Sequence, residues 1–263
     1  MATALITGAS SGIGAAFAQE LSRQGNDLIL VARSADKMQA MAETFQQRDG
    51  ISVQVLGLDL CKPESLDQLE QALQSQGQAI DLLINNAGFG DYGAFGETER
   101  QKQLDMIDLN IRALVDLTHR ILPQMQARGQ GTIINLASIA AFQPMPYLSV
   151  YAATKAFVLN FSEALWAEYK EAGIQVLALC PGPTETNFME VAGFPKRLEG
   201  SAQQVTSAEE VVAVCLKALT QDPSNVVTGG WVNQVVVNAS RFVPRGWMVK
   251  GIKSLFAPGD QAA

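Results

Sequence analysis

The chain has 263 residues, of which 48% are hydrophobic and 17% charged, a composition typical of a folded protein and unlike that of disordered chains. Its formal charge of −7 gives no support for nucleic-acid binding. Three widely spaced cysteines and a single histidine, His119, argue against a disulfide framework and against a metal site. We therefore expect a cytoplasmic protein without a secretory signal or a membrane-spanning segment.

The first 60 residues alternate between strand and helix patterns. Apolar runs predict strands at 3–7, 27–32 and 52–58, and periodic segments predict helices at 13–24 and 35–47. Strands that recur between helices of this length indicate βαβ units. The predicted fold class is therefore α/β, a Rossmann-like doubly wound parallel sheet with helices on both faces.

A glycine-rich turn, residues 7–14, separates the first strand from the first helix. Glycines let the backbone turn tightly and approach a pyrophosphate, and the start of the following helix offers free amide donors and a partial positive charge. A glycine-rich turn alone is weak evidence, but its place between strand and helix is the context that a dinucleotide-binding site requires.

The residue after the second strand bears on the choice of cofactor. In NAD-preferring folds a carboxylate near this point binds the ribose 2′-hydroxyl, whereas a basic residue can pair with the 2′-phosphate of NADP. Here Arg33 follows the strand and no carboxylate is present, which favours NADP; the alternative is that Arg33 only solvates a loop. Asp59 and Leu60 follow the third strand, at the sheet edge where ligands of open α/β folds collect.

The middle of the chain continues the same alternation. Strands are predicted at 81–85, 131–138 and 173–180, and a long helix containing Asn110 at 98–127. The turn 85–88 (Asn-Asn-Ala-Gly) favours a structural role for its asparagines, although Gly88 would let the backbone pass beside a cofactor.

Tyr151 and Lys155 lie near the start of a helix predicted from Ser149. Four residues apart, they share one face of the helix, one turn from each other. A free phenol titrates near 10, and a neighbouring positive charge lowers that pKa, so the pair is suited to acid/base chemistry. A surface Tyr and Lys on an ordinary helix would show the same spacing.

Together these residues resemble the short-chain dehydrogenase/reductase family in its single-domain form. The matching elements stand in the family's order over roughly residues 2 to 187: Thr7 to Gly14, Asp59, Asn85 to Gly88, Asn110, Ser138, Tyr151 with Lys155, and Pro181-Gly182. The resemblance implies a sheet of seven parallel strands, a nicotinamide cofactor and no metal. It also implies a homodimer or homotetramer formed through the helices that bear Asn110 and Tyr151.

The resemblance further assigns roles to individual residues. Tyr151 would protonate a carbonyl oxygen while hydride arrives from the nicotinamide, and Lys155 would lower the pKa of Tyr151 and bond the nicotinamide ribose. Ser138 would hold the substrate oxygen, and Asn110 would anchor a water linking Lys155 to solvent. The expected cofactor contacts are Thr7, Gly8, Ser10, Gly12, Ile13 and Gly14 at the phosphates and adenosine side, Arg33 at the 2′-phosphate, Asp59 at the adenine, Asn86 and Ala87 at the adenosine ribose, and Pro181, Gly182 and Thr186 at the carboxamide, with Ser11, Leu60, Gly88 and Thr184 as further contacts.

Two features depart from related reductases. Many strongly NADP-preferring members have a basic residue where this chain has Ser11, so Arg33 must supply the preference largely alone. After a last strand at 225–229, apolar residues recur at helical spacing over 232–243, and a further helix is predicted from Pro244 to Phe256. We expect one catalytic domain at 1–230 with a helical extension, 231–263, packed on it.

The extension is basic. Residues 241–256 contain Arg241, Arg245, Lys250 and Lys253 and no acid, a local charge of +4 that leaves −11 on the rest of the chain. One interpretation is a helical appendage that packs on the protein or on a neighbouring subunit. The other is an interfacial helix that contacts anionic membrane and admits a lipid-like substrate.

The predicted function is an NADP(H)-dependent oxidoreductase that interconverts a carbonyl and a secondary alcohol. Apolar residues between 187 and 206, where the family closes over its substrate, point to an apolar ketone or a 3-oxoacyl-type substrate. The alternatives are a non-catalytic NADP-binding sensor and a membrane-associated interaction protein. A binding module has no need of a tuned phenol, so the intact set of Asn110, Ser138, Tyr151 and Lys155 favours the enzyme.

Overall fold

A computed structural model describes residues 2–199, 205–239 and 242–258. The strands in these residues are β1 (Thr3–Thr7), β2 (Asp27–Ala32), β3 (Val53–Gly57), β4 (Leu82–Asn85), β5 (Gly131–Leu136), β6 (Ile174–Cys180) and β7 (Asn225–Val227). They form a single parallel sheet in the order β3-β2-β1-β4-β5-β6-β7. The predicted doubly wound sheet of seven strands is confirmed.

The helices alternate with the strands along the chain. They are α1 (Gly12–Arg23), α2 (Ala35–Asp49), α3 (Pro63–Gln76), α4 (Arg100–Ile107), α5 (Leu114–Arg128), α6 (Ser149–Tyr169), α7 (Phe188–Val191), α8 (Lys196–Glu199), α9 (Ala208–Leu219), α10 (Gly230–Ala239) and α11 (Arg245–Phe256). Short 3₁₀ helices lie at Phe95–Glu97, Ile139–Phe142 and Lys170–Ala172. The sequence patterns had not indicated α3.

Each face of the sheet buries its own apolar layer. On one face Phe17 of α1 packs with Val211 of α9 against β1 and β2. On the other, Leu66 of α3 and Leu117 of α5 pack against β1, β4 and β5. Because both faces are covered, the strands are apolar almost throughout, as parallel sheets require.

The direction of the chain reverses beside β1. From β1 the chain runs outward through β2 and β3, and β4 then returns to the opposite side of β1. In open α/β sheets such a reversal opens a crevice at the carboxyl ends of the strands, where ligands bind. Thr7 at the end of β1 and Asn85 at the end of β4 border this crevice.

The predicted helix over 98–127 is wrong in its continuity. The structure begins the helix at Arg100 and inserts a π-helical segment, Asp108–Ala113, between α4 and α5. A π-helical turn holds one more residue than an α-helical turn, and such segments occur frequently at functional sites. A pattern of period 3.6 cannot reveal one extra residue, and Asn110 lies within this segment.

The predicted C-terminal helices are present, and most of the apolar stripe over 232–243 is exposed. Val232, Val235 and Phe242 are exposed, whereas Asn233 and Val237 are buried. The Asn233 carboxamide donates to the carbonyls of Thr228 and Gly229, which fixes the polar face of α10 against the domain. Residues 240–241, which include Arg241, and residues 259–263 of the predicted extension lie outside the described residues.

Candidate active site

The glycine-rich turn lies at the crevice. Gly8 and Gly12 adopt positive φ angles of 66° and 54°. A Cβ on Gly14 would lie 2.3 Å from the Gly8 carbonyl oxygen, and one on Gly8 would lie 2.7 Å from Asn86 Nδ2. Only glycine fits these positions without a shift of the turn.

The start of α1 fits an anionic ligand. Ser11 occupies the N-cap position, but its side chain makes no capping hydrogen bond, so the first amides of the helix have no side-chain acceptor there. Free amides at a helix start bind phosphate groups readily. Ser10 and exposed Ser11 border this turn, while the Ile13 side chain is buried in the core. These residues therefore fit the pyrophosphate of a dinucleotide.

Thr7 and Asn86 hold the turn in place. The Thr7 hydroxyl accepts hydrogen bonds from the backbone N–H groups of Asn86 and Ala87, each at 3.0 Å. The Asn86 carboxamide donates to the carbonyl oxygens of Thr7 and Gly8 at 2.9 and 3.2 Å. Asn86 thus has the structural role that the turn pattern favoured, and it draws the end of β4 toward the glycine turn.

Arg33 directly follows β2, at the carboxyl edge of the sheet. Its side chain is exposed, and its guanidinium forms no hydrogen bond or ion pair with any described residue. Asp59 lies after β3, where its carboxylate accepts the Cys61 amide at 3.2 Å. Leu60 differs from its neighbours because its side chain is buried in the core, so only its backbone is available to a ligand.

The residues predicted to act on the substrate meet at the ends of β5 and α6. Ser138 follows β5, and its hydroxyl accepts the Ala140 amide at 3.1 Å. Tyr151 is buried on α6 beside Ser138, whose side chain lowers the pKa of the phenol. Lys155 is buried one turn further along, with Nζ 5.8 Å from the centre of the Tyr151 ring. The structure therefore brings Ser138, Tyr151 and Lys155 together.

Burial dominates the acid/base properties of this pair. It raises the pKa of Tyr151 to about 12, and the neighbouring Ser138 side chain opposes that rise. Burial also lowers the pKa of Lys155 to about 8. Lys155 Nζ donates to the Leu136 carbonyl at 2.6 Å, which satisfies one of its protons away from the phenol. Burial is thus the largest influence on the Tyr151 pKa in the structure, and the lowering of that pKa by Lys155 stays a prediction.

Asn110 joins the site through a close network. Its Oδ1 accepts the Phe89 amide at 3.1 Å, and its Nδ2 donates to the Phe89 carbonyl and to Thr154 Oγ1, each at 3.0 Å. A Cβ on Gly88 would lie 2.8 Å from Asn110 Oδ1 and 3.5 Å from Lys155 Nζ, so both side chains converge on Gly88.

The segment after β6 crosses the front of the crevice. Pro181 and Gly182 follow the strand, and Thr184 donates its hydroxyl to the Gly182 carbonyl at 2.9 Å. Thr186 approaches the glycine turn, since a Cβ on Gly12 would lie 2.9 Å from Thr186 Cγ2. The three residues expected at the carboxamide and Thr184, a further expected contact, thus lie on the same segment after β6.

Aromatic side chains cover the face of Tyr151 on the substrate side. The Phe188 ring centre lies 5.1 Å from that of Tyr151 and 6.3 Å from that of Phe194. Met106, Met145 and Leu148 complete the buried cluster. Of the predicted substrate segment at 187–206, residues 200–204 lie outside the described residues.

Sequence reasoning missed several residues that support the site. Thr154 forms hydrogen bonds with Asn110 and with the Tyr151 carbonyl. Its position next to Lys155 in the sequence is the feature that could have indicated this role. Gly90 lets the Phe188 ring approach, because a Cβ there would lie 2.7 Å from Phe188 Cζ. Asn233 packs on Gly182, but more than forty residues separate the two and no local pattern connects them.

Buried Lys155 predicts a pH dependence of stability. The unfolded chain binds a proton at Lys155 that the folded chain releases near pH 8, so this group raises the free energy of unfolding as pH rises from about 8 toward 10.5. The Tyr151 phenol, whose pKa is raised, acts in the opposite direction between pH 10 and about 12.

The measurement is urea unfolding of the wild type and of Lys155→Met between pH 7 and 10. We expect Lys155→Met to be relatively more stable at pH 7, with the difference shrinking toward pH 10. The exposed Lys217→Met variant is the matched control and should follow the wild type. Curves for Lys155→Met and the wild type that stay parallel would contradict the expectation.

Known proteins share both the sequence and the architecture. The family model for short chain dehydrogenase matches residues 2–193. The chain is 34% identical over 222 residues to 17-beta-hydroxysteroid dehydrogenase type 3 of Mus musculus, covering 82% of this chain and 68% of that protein. It is 35% identical over 196 residues to the very-long-chain 3-oxoacyl-CoA reductase of Anas platyrhynchos, covering 73% and 62%.

Two solved structures extend the likeness to the whole chain. A short-chain dehydrogenase from Sphingobium yanoikuyae in complex with NADPH has a TM-score of 0.82 at 33% identity, covering 100% of this chain and 98% of that chain. The bulky-bulky ketone specific alcohol dehydrogenase from Comamonas testosteroni has a TM-score of 0.78 at 30% identity, covering 100% and 96%. With the glycine turn and the buried Ser–Tyr–Lys set, these matches show that the chain belongs to the short-chain dehydrogenase family, as an oxidoreductase of alcohol and ketone groups that uses a nicotinamide dinucleotide.

Proposed function

We propose that this enzyme uses NADP(H) to reduce an apolar ketone or a 3-oxoacyl-type substrate to the alcohol. The observation that carries the proposal is the Tyr151 phenol, held protonated by burial beside Ser138 and beneath an apolar cluster. The names of similar proteins support this substrate class. They include a hydroxysteroid dehydrogenase, a 3-oxoacyl-CoA reductase and a bulky-ketone alcohol dehydrogenase.

The proposed chemistry assigns one task to each side chain. When bound, the nicotinamide supplies the hydride. Ser138 orients the carbonyl oxygen, and Tyr151 Oη donates its proton to that oxygen. Because the phenol pKa is about 12, Tyr151 is protonated at neutral pH and ready to act as the acid. The Lys155 ammonium stabilises the phenolate as it forms.

In this proposal, the proton that returns to Tyr151 passes through the Lys155 amine. With its pKa near 8, the amine can lose and regain a proton close to neutral pH. The Asn110 carboxamide is fixed by hydrogen bonds to Phe89 and Thr154. In this proposal Asn110 is therefore a positioning residue, which holds a water beside Lys155.

The test is a titration with NADPH and NADH by fluorescence, followed by turnover of short ketones, 3-oxoacyl thioesters and steroid-like ketones. We expect tighter binding of NADPH and a kcat/KM that rises with the apolar size of the ketone. Turnover confined to small polar ketones would overturn the proposed substrate class.

The cofactor preference is attributed to Arg33, whose guanidinium is exposed and without a partner among the described residues. Replacing Arg33 with Ala should weaken NADPH binding by about 10- to 100-fold, the usual value of a charge-assisted hydrogen bond, and leave NADH binding within about twofold. Fluorescence titration measures the dissociation constants of NADPH and NADH. The exposed Arg100→Ala variant is the control, and an equal loss for both cofactors in Arg33→Ala would refute the assignment.

We further propose a cytoplasmic homodimer or homotetramer formed through the helices that bear Asn110 and Tyr151. Leu104 and Ile107 on α4 and Phe157 on α6 are large apolar side chains that are partly exposed, which supports contact between copies at these helices. Light scattering of the purified protein measures the number of subunits in the oligomer. The peripheral membrane contact predicted for residues 241–256 concerns a different surface and is argued separately below.

A further inference from the structure

α10, α11 and the turn between them expose large apolar side chains. Trp231 and Trp247 are each 76% exposed, Phe242 is 85% exposed and Leu255 is 67% exposed. Single exposed apolar residues are normal on a protein surface, but two tryptophans, a phenylalanine and a leucine within 25 residues are not. The C-terminal surface, defined here by Phe242, Trp247 and Leu255 of residues 242–258, is therefore the feature to explain.

The helix that bears this surface also carries positive side chains that form no ion pair with the described residues. Arg245, Lys250 and Lys253 are exposed on α11, and no described residue forms an ion pair with them. Residues 242–258 contain no acid, so this segment has a charge of +3 against −10 for the rest of the chain. A partner that complements the segment must offer negative charge together with an apolar environment.

The exposure does not arise from a detached helix. Ile252 and Phe256 pack against the cluster that contains Tyr151, and the Tyr92 hydroxyl donates to the Phe256 carbonyl. The inner face of α11 is thus fixed to the substrate side of the domain. Trp247 lies on the opposite side of the helix and Leu255 on its flank, and both side chains are exposed.

A second copy of the chain is a poor fit to this surface. A two-fold interface brings the same patch of both subunits together, and here that would place +3 against +3. An anionic bilayer offers the required combination. Tryptophan settles at the boundary of headgroups and acyl chains, and lysine extends its ammonium toward lipid phosphates.

We infer that the C-terminal surface docks on an anionic lipid bilayer, with Trp247, Phe242 and Leu255 entering the headgroup region and Lys250 and Lys253 pairing with lipid phosphates. The docking is peripheral, since no helix among the described residues is long and apolar enough to cross a membrane. This contact does not depend on the proposed reaction. If the enzyme reduces an apolar ketone, docking places the apolar cluster over Tyr151 beside the phase in which such a substrate dissolves.

The test is co-sedimentation of the full chain with vesicles of phosphatidylcholine, with or without phosphatidylglycerol. We expect sedimentation with the anionic vesicles only, and release by high salt. Lys250→Gln with Lys253→Gln should lower partitioning on the order of tenfold. Trp247→Ser should lower it about tenfold as well, because the indole no longer enters the headgroup region.

Matched variants separate this surface from general charge and hydrophobicity. Lys62→Gln with Lys217→Gln removes the same charge from exposed sites elsewhere, and Phe95→Ser removes an exposed ring outside the C-terminal surface. Both should partition within about twofold of the wild type. Tyr151→Phe should also bind vesicles normally, so a failure of the proposed reaction would not resemble a failure of docking.

Two results would overturn the inference. One is equal partitioning of the wild type, the lysine variant and Trp247→Ser on anionic vesicles. The other is self-association in the absence of lipid that Trp247→Ser abolishes, which would assign the surface to a second copy of the chain.

Discussion

Replacing Tyr151 with Phe is expected to lower carbonyl reduction by about 10²- to 10⁴-fold, the usual contribution of a positioned proton donor. The change removes one oxygen from a buried ring and leaves the packing of that ring on Phe188 intact. Affinity for NADPH should therefore change little. Initial rates with an apolar ketone and a fluorescence titration measure the two effects separately.

A matched substitution on the same helix provides the control. Tyr169 lies at the end of α6 and packs in the core layer beneath the sheet, away from the residues of the proposed site. Tyr169→Phe removes the same oxygen and should retain the wild-type rate. If Tyr151→Phe turned over ketone normally, the proton donor would have to be another group.

The raised pKa of Tyr151 also changes how this prediction should depend on pH. If the pKa of this phenol were lowered toward neutral pH, the phenol would lose its proton in that range. Carbonyl reduction would then slow as pH rose. Because the pKa is about 12, the acid form persists through that range. The lysine, with a pKa near 8, is then the group whose charge changes close to neutral pH.

The sequence predicted the sheet, the glycine turn and the Tyr151–Lys155 pair because each is a local pattern. Strand and helix periodicity placed β1 and β2 at their observed bounds, 3–7 and 27–32. The four-residue spacing placed both polar side chains on one face of α6, and the structure buries both there.

What the sequence could not predict depends on contacts between distant parts of the chain. The pKa of Tyr151 follows from how Phe188 and the apolar cluster exclude water, and the direction of Lys155 follows from the Leu136 carbonyl. Val232 and Val235 of α10 face outward, because Asn233 holds another face of the helix on Gly182 and Gly229 and Val237 is buried with it. Periodicity shows that a stripe exists, and tertiary contacts decide which way it faces.

Replacing Gly14 with Ala is expected to damage both the fold and dinucleotide binding. In an ordinary helix this change stabilises the chain by about 0.5–1 kcal/mol, because glycine loses more freedom on folding. At Gly14 the new methyl would lie 2.3 Å from the Gly8 carbonyl oxygen and 2.5 Å from Asn86 Nδ2. The turn must shift to relieve that contact, at a cost of about 1–3 kcal/mol in the free energy of unfolding.

The same shift should weaken NADPH binding, since it moves the amides that are proposed to hold the pyrophosphate. Urea unfolding and NADPH titration of Gly14→Ala measure the two losses. Gly246→Ala is the matched control, because Gly246 also lies in the first turn of a helix and a Cβ there meets nothing within 4 Å. Opposite signs of the stability change at the two glycines are expected. A Gly14→Ala protein as stable as the Gly246→Ala protein and with unchanged NADPH affinity would show that the turn does not depend on this close contact.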